Sequence, residues 1–368
     1  MLLYIFIVFC VVCAIQLYFF LGVFGAFSFG KSKEEPSKKL PVSIIVCAKN
    51  ESERVQKLVP ILAKQEYGLF ELVLIDDASS DDTLDWFEHF ERTYSNIRIV
   101  KVENNEAFWG NKKFALTLGI KAAKYDHLLF TDADCLPASP NWLALMSRHF
   151  TPQKTIILGY GAYSKIPGSF LNKLIRYETL LTATTYLGSA QLGRPYMGVG
   201  RNLAYHRSEF FKVRGFMDHM KIRSGDDDLF INQAATAQNT TVCYDPEAFT
   251  ISDPKETFSD WMYQKRRHLT TASHYKFSDR STLGLLAISQ IAFPVLAIIL
   301  LAHLFLWIPV VAMIGVRYLS AWISMGFAAK KLKETDLMYL FPFWEWVLIL
   351  CQIRIWSANL LSKPAQWK

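Results

Sequence analysis

His127-Leu128-Leu129-Phe130-Thr131-Asp132-Ala133-Asp134 is the stretch on which the fold is read. A short apolar run enters a turn that carries two carboxylates spaced two apart. Such a run, closed off by turn residues, is the pattern of a strand buried on both faces, as in a parallel sheet covered by helices. Outward from it the same alternation repeats. Val42–Ala48, Glu71–Ile75 and Ile97–Val102 have strand character, while Glu53–Lys64, Thr83–Tyr94 and Lys113–Lys124 have helical periodicity. Strand, helix, strand repetition predicts an α/β domain with a largely parallel sheet.

In such sheets ligands bind beyond the carboxyl ends of the strands. The polar clusters fall at those ends: Ala48-Lys49-Asn50-Glu51 after the first strand, Asp76-Asp77 after the second, and Asp132-Ala133-Asp134 after the fourth. Acidic groups gathered on one edge repel one another unless something positive sits among them. A divalent cation held by Asp132 and Asp134 answers that need. Oxygen donors suit Mg²⁺ or Mn²⁺, which share their coordination with substrate phosphates. An Asp-rich exposed turn is the plainer alternative.

Two further clusters lie downstream. Gly225-Asp226-Asp227-Asp228-Leu229 precedes a helical stretch, Leu229–Ala237. Carboxylates there suit a helix N-terminus and equally suit a general base raised in pKa by its neighbours. Charge alone does not choose among the three. Gln264-Lys265-Arg266-Arg267-His268 is basic. Arginine pairs bidentately with phosphate, and a basic helix beside a membrane has the same composition.

The chain ends are of another kind. Apolar residues make up 51% of the 368, aromatics 14%, and the excess sits at the two ends. Met1 to Gly30 has no Asp, Glu, Lys or Arg and is followed by Lys31, Lys33, Lys38 and Lys39. A basic n-region is missing and the apolar run is long, so an uncleaved anchor is expected rather than a signal peptide. By the positive-inside rule the central domain then lies in the cytosol. Ser281 to Val316 is too long for one crossing and predicts two, with Pro294 and Pro309 as kinks or breaks and the second extending through Arg317 towards Ala329. Leu337–Trp356, which carries Glu345 and Arg354, is read as a further span. The expected organisation is an anchor over 1–30, a catalytic domain over 40–280 and two or three helices over 281–357. Net charge is +7, with no basic run and no nucleic-acid motif, so anionic lipid of the membrane is the expected partner and nucleic acid is not. The six scattered cysteines give no zinc spacing.

Taken together and in this order, the motifs between Leu40 and Thr271 resemble those of the family 2 inverting glycosyltransferases, whose catalytic domain has the GT-A fold, and in particular membrane-bound members such as polysaccharide synthases and ceramide glucosyltransferase-like enzymes. The resemblance implies a nucleotide-sugar donor. Ala48, Asn50 and Glu51 would stand in the nucleotide-contact loop, Asp77 would meet the nucleobase, and Lys112, in Asn111-Lys112 with Ala115-Leu116, would reach the diphosphate or sugar. Asp132 and Asp134 would be the metal-binding DxD, Asp132 also contacting the donor. Gly200-Arg201-Asn202 would line the acceptor side.

The family's third acidic motif usually reads Glu-Asp-x-Asp-Leu. Aligned on Asp228-Leu229, it makes Asp226 the catalytic base, with Gly225 in place of the glutamate and Asp227 the runner-up. Gln264 and Arg267 match Gln-x-x-Arg-Trp, with His268 where tryptophan is usual. The implied activity is metal-dependent transfer of a sugar, with inversion, onto a membrane-associated lipid or glycan acceptor. A processive polysaccharide synthase is the alternative within the family. A nucleotidyltransferase and a non-catalytic membrane protein are the alternatives outside it.

Overall fold

A computed structural model describes residues 1–31, 40–103, 111–222 and 224–361. Of the positions named above, Lys33, Lys38 and Lys39 lie outside the described residues. The chain groups into two compact units. One takes Met1–Lys31, Gly168–Leu192 and the described residues of Glu256–Pro364; the other takes the described residues of Leu40–Pro167 and Gly193–Lys255. A single stretch over 40–280 was the expected catalytic domain. The grouping instead assigns the helix Phe170–Gln191 and the residues after Lys255 to the apolar unit.

In the α/β unit the strands are β1 (Val42–Ala48), β2 (Phe70–Asp76), β3 (Ile97–Lys101), β4 (His127–Asp132), β5 (Cys135–Pro137), β6 (Ile156–Leu158), β7 (Gly161–Tyr163), β8 (Leu203–His206), β9 (Thr240–Val242) and β10 (Thr250–Ser252). The main sheet has the order β3-β2-β1-β4-β8-β6-β9. β1, β2, β3 and β4 run parallel, and β8 enters antiparallel to both β4 and β6. A small sheet, β5-β10-β7, stands beside it. The continuous apolar runs are explained by burial on both faces. Val42, Ile44 and Val46 pack with Leu58, Val59, Phe87 and Trp142 of the helices on one side. The helix Asn111–Ala122, with Ala115 and Ile120 fully buried, contacts β1 and β2.

The apolar unit contains four helices long and apolar enough to cross a membrane: Leu2–Phe29, Phe277–Ala302, Trp307–Lys331 and Thr335–Leu361. The first is continuous, with a π-helical stretch at Tyr18–Phe24. The break expected in the long apolar block falls at His303–Leu306, where Leu304 and Leu306 take positive φ. Pro294 sits inside a helix, and Pro309 occupies the first turn of the next, where its missing N–H costs nothing. Lys331 Nζ donates to Phe27 O at 2.7 Å and to Gly30 O. The C-terminal ends of the first and third of these helices therefore lie together, with a cation on the carbonyl end of the first. Helix Phe170–Gln191 packs among them. Ser169 Oγ caps it by accepting from Asn172 N at 3.2 Å, and Gly188 admits the Val23 carbonyl where a Cβ would collide.

Arg317 and Glu345, 2% and 4% exposed, meet inside this unit. Arg317 donates to both carboxylate oxygens of Glu345, and its Nη2 to Gln16 Oε1 at 2.7 Å; Gln16 in turn donates to Ser289 Oγ at 2.7 Å. The guanidinium also lies over the Phe20 ring at 4.7 Å. Charges are tolerated in apolar surroundings only when paired and fully hydrogen-bonded, and this network links all four spans. Glu345→Leu strands the guanidinium and is expected to destabilise the detergent-solubilised protein by about 3–5 kcal/mol, whereas the double change Arg317→Met with Glu345→Leu recovers most of that loss. Thermal unfolding of the three proteins tests this, and a single variant as stable as wild type refutes it.

Candidate active site

The loops after β1 and β2 are laced together before any ligand is considered. Asn50 adopts φ 55°, a left-handed conformation that asparagine tolerates. Its side-chain oxygen accepts from Ser80 N at 2.7 Å, and its own N–H donates to Ser79 Oγ at 3.1 Å. Glu51 N donates to Thr83 Oγ1 at 2.9 Å, while its carboxylate pairs with Arg54 at 2.7 Å. Asn50 and Glu51 thus shape the loop. Asp77, whose N–H donates to Ala48 O at 2.9 Å, is buried beneath it. Burial pushes its carboxyl up to about 6 against the opposing pull of Lys49.

At the end of β4, Asp132, Asp134 and Cys135 each offer a ligand atom, all within 4.8 Å of one another. Two are hard carboxylate oxygens. Burial raises the Cys135 thiol well above its ordinary range, reinforced by Asp134 and Asp132, and it contacts Ser252 Oγ at 2.9 Å. The two carboxylates suit a hard cation such as Mg²⁺ or Mn²⁺.

The late acidic cluster is brought to the same place. Lys112 Nζ lies 2.9 Å from Asp132 Oδ1 and 2.9 Å from Asp226 Oδ2. One cleft is lined by Cys47, Lys112, Thr131, Asp132, Tyr205 and Asp226, among others. The family resemblance implied a role for Lys112 towards the donor, but no sequence pattern announced that one ammonium would join the two acidic motifs.

Asp226 and Asp227 differ in what they do. Asp227 Oδ2 accepts from Gly200 N at 2.6 Å, and Oδ1 from Asp228 N at 2.8 Å, capping the helix Asp228–Ala234. Burial, with Asp226 and Asp228 close by, pushes Asp227 up to about 7. Burial works on Asp226 too, but the Lys112 ammonium outweighs it and holds that carboxyl below its usual range.

Arg201 is tied down among the same elements. Its guanidinium donates to Gly161 O at 2.9 Å and Ser252 Oγ at 3.2 Å, and lies 4.5 Å from the Tyr163 ring. Burial opposes its charge, yet Tyr163, Cys135, Asp134 and Asp132 together raise its pKa. A second fixed cation thus faces the DxD turn. Asn202, fully buried, accepts from Trp142 Nε1 at 3.1 Å and donates to Ala248 O at 2.7 Å, fixing the Gly200–Asn202 turn.

Gln264 and Arg267 stand on the helix Phe258–Ala272, in the apolar unit. The structure does not bring them into the compact unit that holds the acidic cluster. Gln264 Oε1 is buried with no hydrogen-bond partner among the described residues.

Comparison with known proteins bears on the whole arrangement. The model of glycosyl transferase family 2 matches residues 43–222. The poly-β-1,6-N-acetyl-D-glucosamine synthase of Staphylococcus epidermidis is 32% identical over 102 residues, covering 28% of this chain and 24% of that protein. The 4,4'-diaponeurosporenoate glycosyltransferase of Staphylococcus haemolyticus is 33% identical over 107 residues, covering 29% and 27%. The alignments thus span about a quarter of these relatives' length. The mannosyltransferase PcManGT of Pyrobaculum calidifontis, solved with GDP-Man and Mn²⁺, matches over 92% of this chain and 99% of its own, with a TM-score of 0.55 and 17% identity. At that identity the likeness speaks for the fold. On the sequence match and the fold together, residues 43–222 are a family 2 glycosyl transferase domain of GT-A architecture.

Proposed function

We propose that this chain transfers a sugar from a nucleotide-sugar donor, with inversion, to a lipid or glycan acceptor at a membrane, with its α/β unit on the cytosolic side. The observation that carries the reading is the Lys112 ammonium bridging Asp132 of the DxD turn and Asp226 of the late acidic motif. Groups suited to holding a donor and to accepting a proton thereby share one cleft, which supports the reading.

Asp77 is positioned to accept a hydrogen bond from the nucleobase, and Asn50 and Glu51 hold the loop above it. Asp132 and Asp134 would hold Mg²⁺ or Mn²⁺, which when bound supplies charge stabilisation to the leaving nucleoside diphosphate. Lys112 and Arg201 add positive charge on the same side, and Lys112 is free to exchange its carboxylate partners for the donor's phosphates. Asp226, ionised and facing the cleft, takes the proton of the acceptor hydroxyl as the new bond forms. Asp227 has both oxygens occupied by backbone N–H groups, so it supports the turn and Asp226 is the better base. The Gln-x-x-Arg segment, Gln264 and Arg267, belongs to this reading through the family resemblance. The cytosolic placement is supported by Lys31, which follows the first apolar helix, and by Lys330 and Lys331, which end the third.

Three outcomes are expected. In membranes supplied with Mn²⁺ and a panel of nucleotide-sugars, one donor yields nucleoside diphosphate; release of pyrophosphate instead would move the assignment to nucleotidyl transfer. With that donor, Asp226→Asn lowers turnover about 10²–10⁴-fold with donor affinity kept, while Asp227→Asn chiefly loosens its helix cap, by about 1 kcal/mol. The reverse ranking would make Asp227 the base. Finally, the Asp77 carboxyl is a much stronger acceptor when ionised than when protonated, and burial holds its pKa at about 6. Affinity for UDP or GDP, measured by calorimetry, should therefore fall as the pH drops through that value, and Asp77→Asn should flatten the dependence; an unchanged profile in the variant argues against the contact.

A further inference from the structure

The first turn of the helix Asn111–Ala122 carries two adjacent lysines, of which the proposed mechanism uses one. Lys113 is only 2% exposed. Its Nζ donates to three backbone carbonyls: His219 O at 2.9 Å, Ile222 O at 2.8 Å and Ser224 O at 2.8 Å. An ammonium has three N–H donors, and all three are used. The acceptors lie in the segment that leads directly to Gly225, at φ +90°, and then to Asp226. Burying an ammonium is strongly unfavourable unless it is hydrogen-bonded and its charge is answered. Here the carbonyls provide the bonds, and Asp226, Asp228 and Asp227 provide the opposite charge.

Neighbouring residues on a helix project about 100° apart. Lys112 therefore reaches the Asp226 carboxylate while Lys113 reaches the backbone behind it. We propose that Lys113 is a positioning residue for the Asp226 carboxylate, fixing where that group stands in the cleft by holding the backbone that precedes it. The inference rests on the reading of Asp226 as the base. Lys112 cannot do this alone, because its ammonium is shared with Asp132 and acts on a side-chain oxygen. A base must stand within hydrogen-bond reach of the proton it removes, and a displacement of about 1 Å costs on the order of a hundredfold in rate.

The arrangement also carries a pH signature. Burial lowers the Lys113 pKa to about 8, against the pull of Asp226, Asp228 and Asp227. Among the described residues, the ionisable groups adjoining it in the chain and in the segment it holds are Lys112, next to it on its own helix, and His219. Once deprotonated, the amine has two donors for three carbonyls. The segment is thus fully held below about pH 8 and loosens above it.

The test uses the full-length protein in membranes with Mn²⁺, with UDP-N-acetylglucosamine and GDP-mannose as donors and nucleoside diphosphate release as the readout. Lys113→Met is expected to lower turnover about 30- to 100-fold while UDP or GDP affinity stays within about twofold. The wild type should lose turnover through pH 8, and that limb should be absent from the residual activity of the variant. Lys113→Gln, which keeps two donors, should fall between them, and it serves if the methionine variant does not fold. Turnover within about twofold of wild type in Lys113→Met or Lys113→Gln, while Asp226→Asn is inactive, overturns the inference. So does a wild-type profile flat through pH 8, or a loss confined to nucleotide affinity. Turnover retained in Asp226→Asn would instead remove the base assignment itself.

Discussion

The site depends on one ammonium group standing between two carboxylates. Asp132 and Asp226 come from motifs far apart in the chain, and each lies 2.9 Å from Lys112 Nζ. Without a cation, acidic groups brought this close would repel by several kcal/mol even at a protein-like dielectric, about 4 kcal/mol for a pair at 4 Å. Lys112 itself sits in the first turn of a helix, where the backbone dipole disfavours a positive charge. The two carboxylates offset that penalty. Each charge is thus tolerable only because the others are present, and the cleft is a balanced set of charges ready to exchange partners with a charged ligand.

Neutralisation recurs through the fold, with different partners for different surroundings. Arg201 is satisfied by backbone and hydroxyl oxygens and by the Tyr163 ring, which leaves its charge directed towards the DxD turn. In the apolar unit, Arg317 takes both oxygens of Glu345, and Arg176 takes Glu334 and Asp336. Arg317, Glu345, Arg176 and Glu334 are buried, while Asp336 is partly exposed. Where water is scarce, ionised groups persist only in such combinations. The apolar helices therefore carry charge in their interior without any need for solvent.

Much of the α/β unit was legible because local sequence and tertiary environment agree. β1 and β2 are continuous apolar runs, since both faces of the central sheet are covered, and the polar turns come directly after them. The expected helices between them appear within a few residues of their predicted ends. The short later strands were not legible. β6, β7, β9 and β10 are three residues each, too short for any periodicity to register, and β8 runs antiparallel between β4 and β6. The division of labour between Asp226 and Asp227 was equally hidden. It is decided by the Gly200 N–H, which comes from a turn more than twenty residues upstream.

By itself the sequence determined the alternation of strands and helices, the acidic turns at strand ends, and the apolar character of the two termini. These follow from short-range patterning: hydrophobic period, turn chemistry and the run length of apolar residues. Only the tertiary structure decided which charges meet. Lys113 finds its carbonyls 106 to 111 residues away, and Arg317 finds Gln16 301 residues away. A buried ion pair has no local signature. Each member reads as an isolated charge in the wrong place until the fold brings its partner within hydrogen-bonding distance, and the low dielectric that makes an unpaired charge costly is itself a product of that packing.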